Sequence, residues 1–179
     1  MKKIFFSILA GMAFTAVAHA QESVYPASKQ TAPVIIMNGT VHVGNGQVLS
    51  NTSVEIRDGK ITNIGPGITA SADAFKVDAK GKHVYPGLIL ANSNLGLVEV
   101  GSVRATVDET EIGEYNPSIR SLVAYNTDSK VINTLKTNGI THANIVPQGG
   151  TISGSSSVVQ LDAWNWEDAA YRTDVGIHF

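Results

Sequence analysis

From Val34 onward the chain alternates short runs of β-branched and apolar residues with turn dipeptides, a period-two texture that predicts strands rather than helices. Val34 to Met37, Thr40 to Val43 and Gln47 to Leu49 are strand runs, separated by Asn38-Gly39 and Gly44-Asn45-Gly46. The clearest hairpin is Ser53 to Arg57, Asp58-Gly59, Lys60 to Ile64, because Asp-Gly supplies the positive φ angles of a two-residue type I′ turn. Val54 and Ile56 then share a face, and Ile64 joins Ile61 only if a bulge intervenes. Phe75 to Asp78 and Lys82 to Tyr85 flank Ala79-Lys80-Gly81 and read as another hairpin. Residues 34–85 therefore predict a small antiparallel sheet or β-sandwich.

Beyond Pro86-Gly87 the texture changes. The run Leu88-Ile89-Leu90-Ala91 is too short for a helix and suits a strand buried on both faces, as in a parallel sheet. Residues 99–120 have no sustained period and read as a long loop. Asp128-Ser129 can cap a helix whose Val131, Ile132 and Leu135 share one face and which ends at Asn138-Gly139. Ile140 to Val146 follows as a strand stopped by Pro147, so strand, helix and strand form a β-α-β unit. A Gly/Ser-rich loop, Gly149 to Ser157, leads to Val158 to Leu161 and the Trp164/Trp166 segment. The fold class expected is mixed β and α/β.

The first twenty residues differ from the rest: Lys2 and Lys3, an apolar run from Ile4 to Val17, then Ala18-His19-Ala20. This is a signal-peptide pattern over residues 1–20, and its apolar run is shorter than the ~20 residues of a membrane span. Export to the periplasm or exterior is expected, with no membrane partner after cleavage. Residues 21–33 are polar with two prolines and read as a flexible leader. Of 179 residues 43% are hydrophobic, 16% are charged and none is Cys, which excludes disulfide scaffolds, thiolate zinc sites and thiol nucleophiles. The formal net charge is -2, and losing residues 1–20 removes two lysines and no acid. No broad positive field exists for nucleic acid.

The order Asn38-Gly39, then Val54-Glu55-Ile56-Arg57-Asp58-Gly59-Lys60-Ile61, then Gly65, then Asp78-Ala79-Lys80-Gly81-Lys82-His83-Val84-Tyr85-Pro86-Gly87-Leu88-Ile89 resembles the start of the amidohydrolase superfamily, in particular an imidazolonepropionase-like member. The resemblance covers residues 34–91. It implies that residues 34–85 build a small β-sandwich, part of a composite domain completed by strands from the far C-terminus. It implies further that residues 86–179 begin a TIM-type (β/α) barrel. In that family the first barrel strand ends in Asp-x-His-x-His and holds one or two divalent metals such as zinc. Here the stretch reads Leu90-Ala91-Asn92-Ser93-Asn94. Alternate strand residues face the same way, so Asn92 and Asn94 can converge on one point, but an amide oxygen is a poorer zinc ligand than an imidazole nitrogen. Both are degenerate metal-site positions, and no catalytic residue is assigned.

The family completes eight β/α units and brings a carboxylated Lys, two further His and an Asp from later strands. This chain reaches two or so strands of barrel, and a fragment of a longer protein is expected. The implied activity is metal-dependent hydrolysis of non-peptide C–N bonds in cyclic amides or peptide-like small molecules. The alternative is a non-catalytic relative that binds a small ligand or protein partner in the same mouth.

Other chemistry is thinner. His42, His83, His142 and His178 have no partner at i+2, i+3 or i+4 and form no local metal pair. Gly149, Gly150 and Ser153 lie in a loop that can present backbone N–H groups to an anion, although it lacks the Walker Lys and the nucleophile-elbow spacing. Glu99, Arg104, Asp108, Glu109, Glu111 and Glu114 follow the first barrel strand, where active-site loops emerge, and a solvated loop is the competing reading. Asp108 and Glu109 are neighbours whose side chains diverge in an extended segment. Trp164 and Trp166 suit packing or the stacking of a sugar or base.

Overall fold

The structure is a computed structural model and describes residues 26–179. The expected signal peptide and the first part of the leader lie outside the described residues. The first sheet contains β1 (Val34–His42), β2 (Val48–Arg57), β3 (Lys60–Gly65), β4 (Phe75–Asp78) and β5 (His83–Val84), with strand order β3-β2-β1-β4 and β5 also beside β1. β1 and β2 pair antiparallel from Val34↔Ile56 to His42↔Val48. Asp58 and Gly59 take φ of 48° and 70°, as the type I′ turn requires. Ile56 faces Ile61 while Val54 faces Ile64, leaving Thr62 as the extra residue of a bulge.

The second expected hairpin does not form. β4 and β5 both run parallel to β1, against Val34 to Met37 and against Thr40 and Val41. The cause is a jog in β1 itself, where Asn38 has φ 58°. Residues 79–81 follow that jog, with Ala79 N–H donating to Met37 O and Gly81 N–H to Asn38 O, so the chain steps past the kink instead of reversing. The result is a single mixed sheet, not a two-layer antiparallel sandwich. Ile35, Val41 and Val54 are buried, whereas Ile61 and Phe75 are open to solvent.

The second sheet has strand order β6 (Leu88–Ser93), β7 (Ile140–Ile145), β8 (Gly154–Gln160), β9 (Ala170–His178). β6 and β7 are parallel, with helix α1 (Lys130–Thr137) between them in sequence, as the β-α-β reading requires. Gly87 is placed where an added Cβ would lie 2.4 Å from Thr141 Cγ2, so the strand entry needs glycine. After β7 the chain departs from a barrel: β8 returns antiparallel to β7, and β9 antiparallel to β8. The sheet stays open, and closed β/α barrel units are not formed by the described residues.

The core lies between α1, the loops and this sheet: Leu95, Leu97, Leu122, Tyr125, Ile132, Ala143, Ile145, Val159, Leu161 and Ala169. Full burial of an Ile side chain such as Ile132 contributes about 1.5–3 kcal/mol. Val131, expected on the same face, is 48% exposed; only Ile132 and Leu135 turn inward. Half of the Gly/Ser-rich loop is strand, because small side chains let β8 run through the interior, where Ser155, Ser156 and Ser157 are buried.

Two further expectations are corrected by packing. Residues 99–120 do not hang free: Val98 bridges Val107, and Thr110, Tyr115 and Arg120 pair with Gln148, Ile152 and Ser155. Two 3-10 turns, Arg104–Thr106 and Ser121–Ala124, punctuate the path. Nor does the described part of the leader lack contacts. Gln30 donates to Ala32 O and Ile56 O and accepts from Gly59 N–H, while Ala27 N–H donates to Asp162 Oδ2 at 2.8 Å. Asp162 also receives Lys136, so the strap joins the first sheet to the second.

Candidate functional site

The site is built where β6 ends. Val146 N–H donates to Ser93 O at 2.9 Å and ties the ends of β6 and β7 together, which fixes the segment that carries Asn92 and Asn94. Both amides lie on exposed residues. Asn94 Nδ2 donates to Glu109 Oε2 at 3.0 Å. Glu109 is held in turn by backbone bonds on either side, Asp108 N–H to Leu97 O at 2.7 Å and Gln148 N–H to Glu109 O at 2.7 Å. The acidic segment is thereby strapped across the strand end.

Beside it opens a cleft of about 560 Å³ whose wall includes Arg104, Asp108, Glu109, Glu111, Arg120 and Pro147. That size suits a small molecule. Arg104 reaches Val107 O through Nη1 at 2.7 Å, which sets its guanidinium on the cleft wall. Arg120 pairs with a neighbour: Nε and Nη2 grip the two carboxylate oxygens of Asp174, each at 2.9 Å. Asp174 also accepts from Ser155 Oγ, and its own N–H donates to Ser157 Oγ. The Arg120 hydrogen bond, aided by Ser155, holds the Asp174 carboxyl below the ordinary carboxylate range. Burial pushes the Tyr125 phenol up, under the loop that leads from β6 to the cleft.

The residues singled out from sequence separate in space. Arg104 lines the cleft, and Asn94 joins it through Glu109. Glu99 instead receives Asn126 Nδ2 at 3.2 Å and Ser129 Oγ at 3.0 Å, which anchors the start of α1. Ser129 therefore spends its hydroxyl on Glu99 and not on capping the helix. Gly149 and Gly150 serve a close approach: a Cβ on Gly150, where φ is 67°, would fall 2.7 Å from Gly113 O. The N–H groups that follow, of Thr151 and Ile152, both donate to Glu114 O. Ser153 is buried, with its N–H on His178 O. Asp108 and Glu109 both line the cleft although they are sequence neighbours.

Sequence reading missed Arg120, Asp174 and Ser155, which meet across 54 and 19 positions with no local signal between them. It also treated His42 and His83 as solitary, whereas they are in contact. His142 packs edge-on against Tyr171, with ring centroids 4.7 Å apart. Trp166 packs against the core and Trp164 is exposed.

An amidohydrolase from Thermotoga maritima has the same fold over 80% of this chain and 38% of its own, with a TM-score of 0.74 and 26% sequence identity. The chain is similar to amidohydrolases, and its solved structural neighbours are of that kind. A 5-methylthioadenosine/S-adenosylhomocysteine deaminase from Thermococcus sibiricus is 32% identical over 82 residues, 46% of this chain and 18% of the relative. A D-hydantoinase structure is 33% identical over 38% of this chain and 14% of its own, with a TM-score of 0.33. No family model matches. The chain thus spans well under half the length of these amidohydrolase-type relatives. The superfamily implies a divalent metal, and the residues at the β6 end do not fit one such as zinc. Asn92 and Asn94 offer amides, the Asn94 N–H group is committed to Glu109, and among the described residues no group of three or more His, Asp or Glu gathers to hold a metal.

Proposed function

We propose that this chain is the N-terminal portion of an exported amidohydrolase-type hydrolase that acts on a non-peptide C–N bond of a cyclic amide or peptide-like small molecule. The carrying observation is the shared fold with the Thermotoga amidohydrolase over four-fifths of this chain and little more than a third of that one. The open edges of the second sheet agree with it. Leu88 and Ile89 on β6 and Tyr171 and Ile177 on β9 are more than half exposed, apolar surface that the further β/α units of a TIM-type barrel would cover. The basic, apolar and small-residue order of residues 1–20 supports passage to the periplasm or exterior. In this reading Asn94 reaches the substrate cleft through Glu109, and the first strand supplies no metal-binding imidazole.

A second reading, a non-catalytic relative that binds a small ligand or protein partner, draws on one observation. Asn94 is locked to Glu109, an arrangement that leaves the strand end hydrogen-bonded and not poised for a cation. The deciding experiment is an assay of the protein produced from the whole reading frame, incubated with hydantoins, lactams and N-acyl amino acids, with bound metal measured on the same sample. Hydrolysis of one of these classes by metal-loaded protein is the expected result. Protein that holds no metal and turns over none of them, yet binds one in the cleft, establishes the second reading instead.

A further inference from the structure

Of the five histidines in the chain, two meet on the first sheet. His42 ends β1, and His83 opens β5, which runs parallel beside it with Thr40 opposite His83 and Val41 opposite Val84. His42 Nε2 and His83 Nδ1 are 2.8 Å apart. The ring centroids are 5.1 Å apart and the planes are inclined by 33°, so the facing nitrogens point nearly straight at each other. Tyr85 stacks on His42 with centroids 4.1 Å apart and planes 15° apart. His83 is exposed and His42 half-buried, so the pair is reached from solvent.

We propose that His42 and His83 form a chelating site for a late first-row divalent cation, with copper(II) the ion of choice. The site stands where the chain enters β6, whereas Asn92 and Asn94 stand at the far end of that strand. Spacing selects the ion. Two nitrogens held at about 2.0 Å on adjacent corners of a square plane are about 2.8 Å apart, whereas tetrahedral coordination spreads them to about 3.3 Å. The nitrogen separation in the pair equals the narrower value, although at present it is the length of the hydrogen bond they share. Copper(II) also tops the affinity order for nitrogen ligands, which matters with two protein ligands and the remaining corners left to water. Among the described residues no third His, Asp or Glu joins them as a metal-binding group.

Binding requires two adjustments, the first of them sizeable, because nitrogens that point nearly straight at each other must each turn by about 45° to share an ion about 2.0 Å away. Each ring swings within its own plane so that both lone pairs converge on a point beside the nitrogen–nitrogen line, and Tyr85, lying flat on His42, permits an in-plane swing while resisting a tilt. The proton shared between the facing nitrogens leaves and the outer nitrogen of the same ring takes one up, so both rings stay neutral and no net proton is released. Copper(II) then occupies the place of the hydrogen bond, without a change of oxidation state.

The test uses the full chain carrying His19→Gln, His142→Gln and His178→Gln, so that His42 and His83 are the remaining imidazoles, titrated with copper(II) alone and read by electron paramagnetic resonance. The proposal expects one copper(II) per chain with splitting from two imidazole nitrogens, and loss of that two-nitrogen pattern in His42→Gln and in His83→Gln. Persistence of the pattern in either variant overturns it, as does its absence from the parent. A measurement on the unsubstituted chain avoids any effect of substitution on folding. Substoichiometric copper(II) should broaden the His42 and His83 ring protons before those of His142 and His178, and the reverse order also overturns the proposal.

Discussion

At the residue scale the most constrained positions are those where backbone meets backbone. Gly150 combines φ of 67° with a would-be Cβ 2.7 Å from Gly113 O and 3.0 Å from Glu114 O, and neither oxygen is the end of a flexible side chain. Gly150→Ala is expected to destabilise the fold by about 2 kcal/mol or more, read as a fall in the urea midpoint. An unchanged midpoint would show that the 110–120 segment gives way freely. The glycine was legible as a loop residue; its reason was not, because the atoms it must clear are over thirty positions earlier in the chain. The same limit hid the His42–His83 contact and the Arg120–Asp174 pair, whose members carry no mark of each other in the local sequence.

At the scale of elements, local rules worked where turn chemistry or a strong apolar period decided the outcome. The Asp58-Gly59 hairpin, its bulge and the order β6–α1–β7 formed as read. Leu88 and Ile89 of β6, expected to be buried on both faces, are instead more than half exposed, and Val131 leaves the buried face of α1. Local rules failed where a distant partner competed, as when the kink at Asn38 drew β4 and β5 alongside β1. Within α1 the two adjacent β-branched residues separate cleanly. Ile132→Ala is expected to cost about 2–5 kcal/mol through the cavity it leaves, while Val131→Ala, on a half-exposed residue, should stay within about 0.5 kcal/mol of wild type in the same denaturation assay. Equal losses at both positions would contradict the packing described.

The link between Arg120 and Asp174 makes a second element-scale prediction, through pH. A carboxyl whose folded-state pKa is depressed stabilises the fold above its unfolded value of about 3.9, and that contribution is lost as pH falls through the folded value. Asp174→Asn should therefore be less stable than wild type at neutral pH, with the gap in urea midpoint closing in acid. A gap that stays constant from neutral to acid pH would remove the ion pair from the explanation.

At the scale of the whole molecule, the two sheets are joined by a strap as well as by the Pro86-Gly87 step. Ala27 N–H and Lys136 both reach Asp162, and Gln30 holds the same strap to the β2–β3 hairpin. Asp162→Ala is expected to speed proteolysis within residues 26–33 while the core near α1 stays protected; cleavage at the wild-type rate would show that the strap does not depend on this carboxylate. The likeness to amidohydrolases was legible from the order of weak signals along residues 34–91, each turn or strand unspecific alone and informative in sequence. The architecture past β7 was not, since a parallel start does not determine where the next strand returns.

The central proposal, that this chain is the N-terminal portion of a longer amidohydrolase-type hydrolase, is tested most directly by reading the source DNA beyond codon 179. The account predicts an open frame that continues through further β/α units and supplies a Lys, two His and an Asp at later strand ends. A stop codon directly after Phe179, or a frame that continues without those four residues, would contradict it.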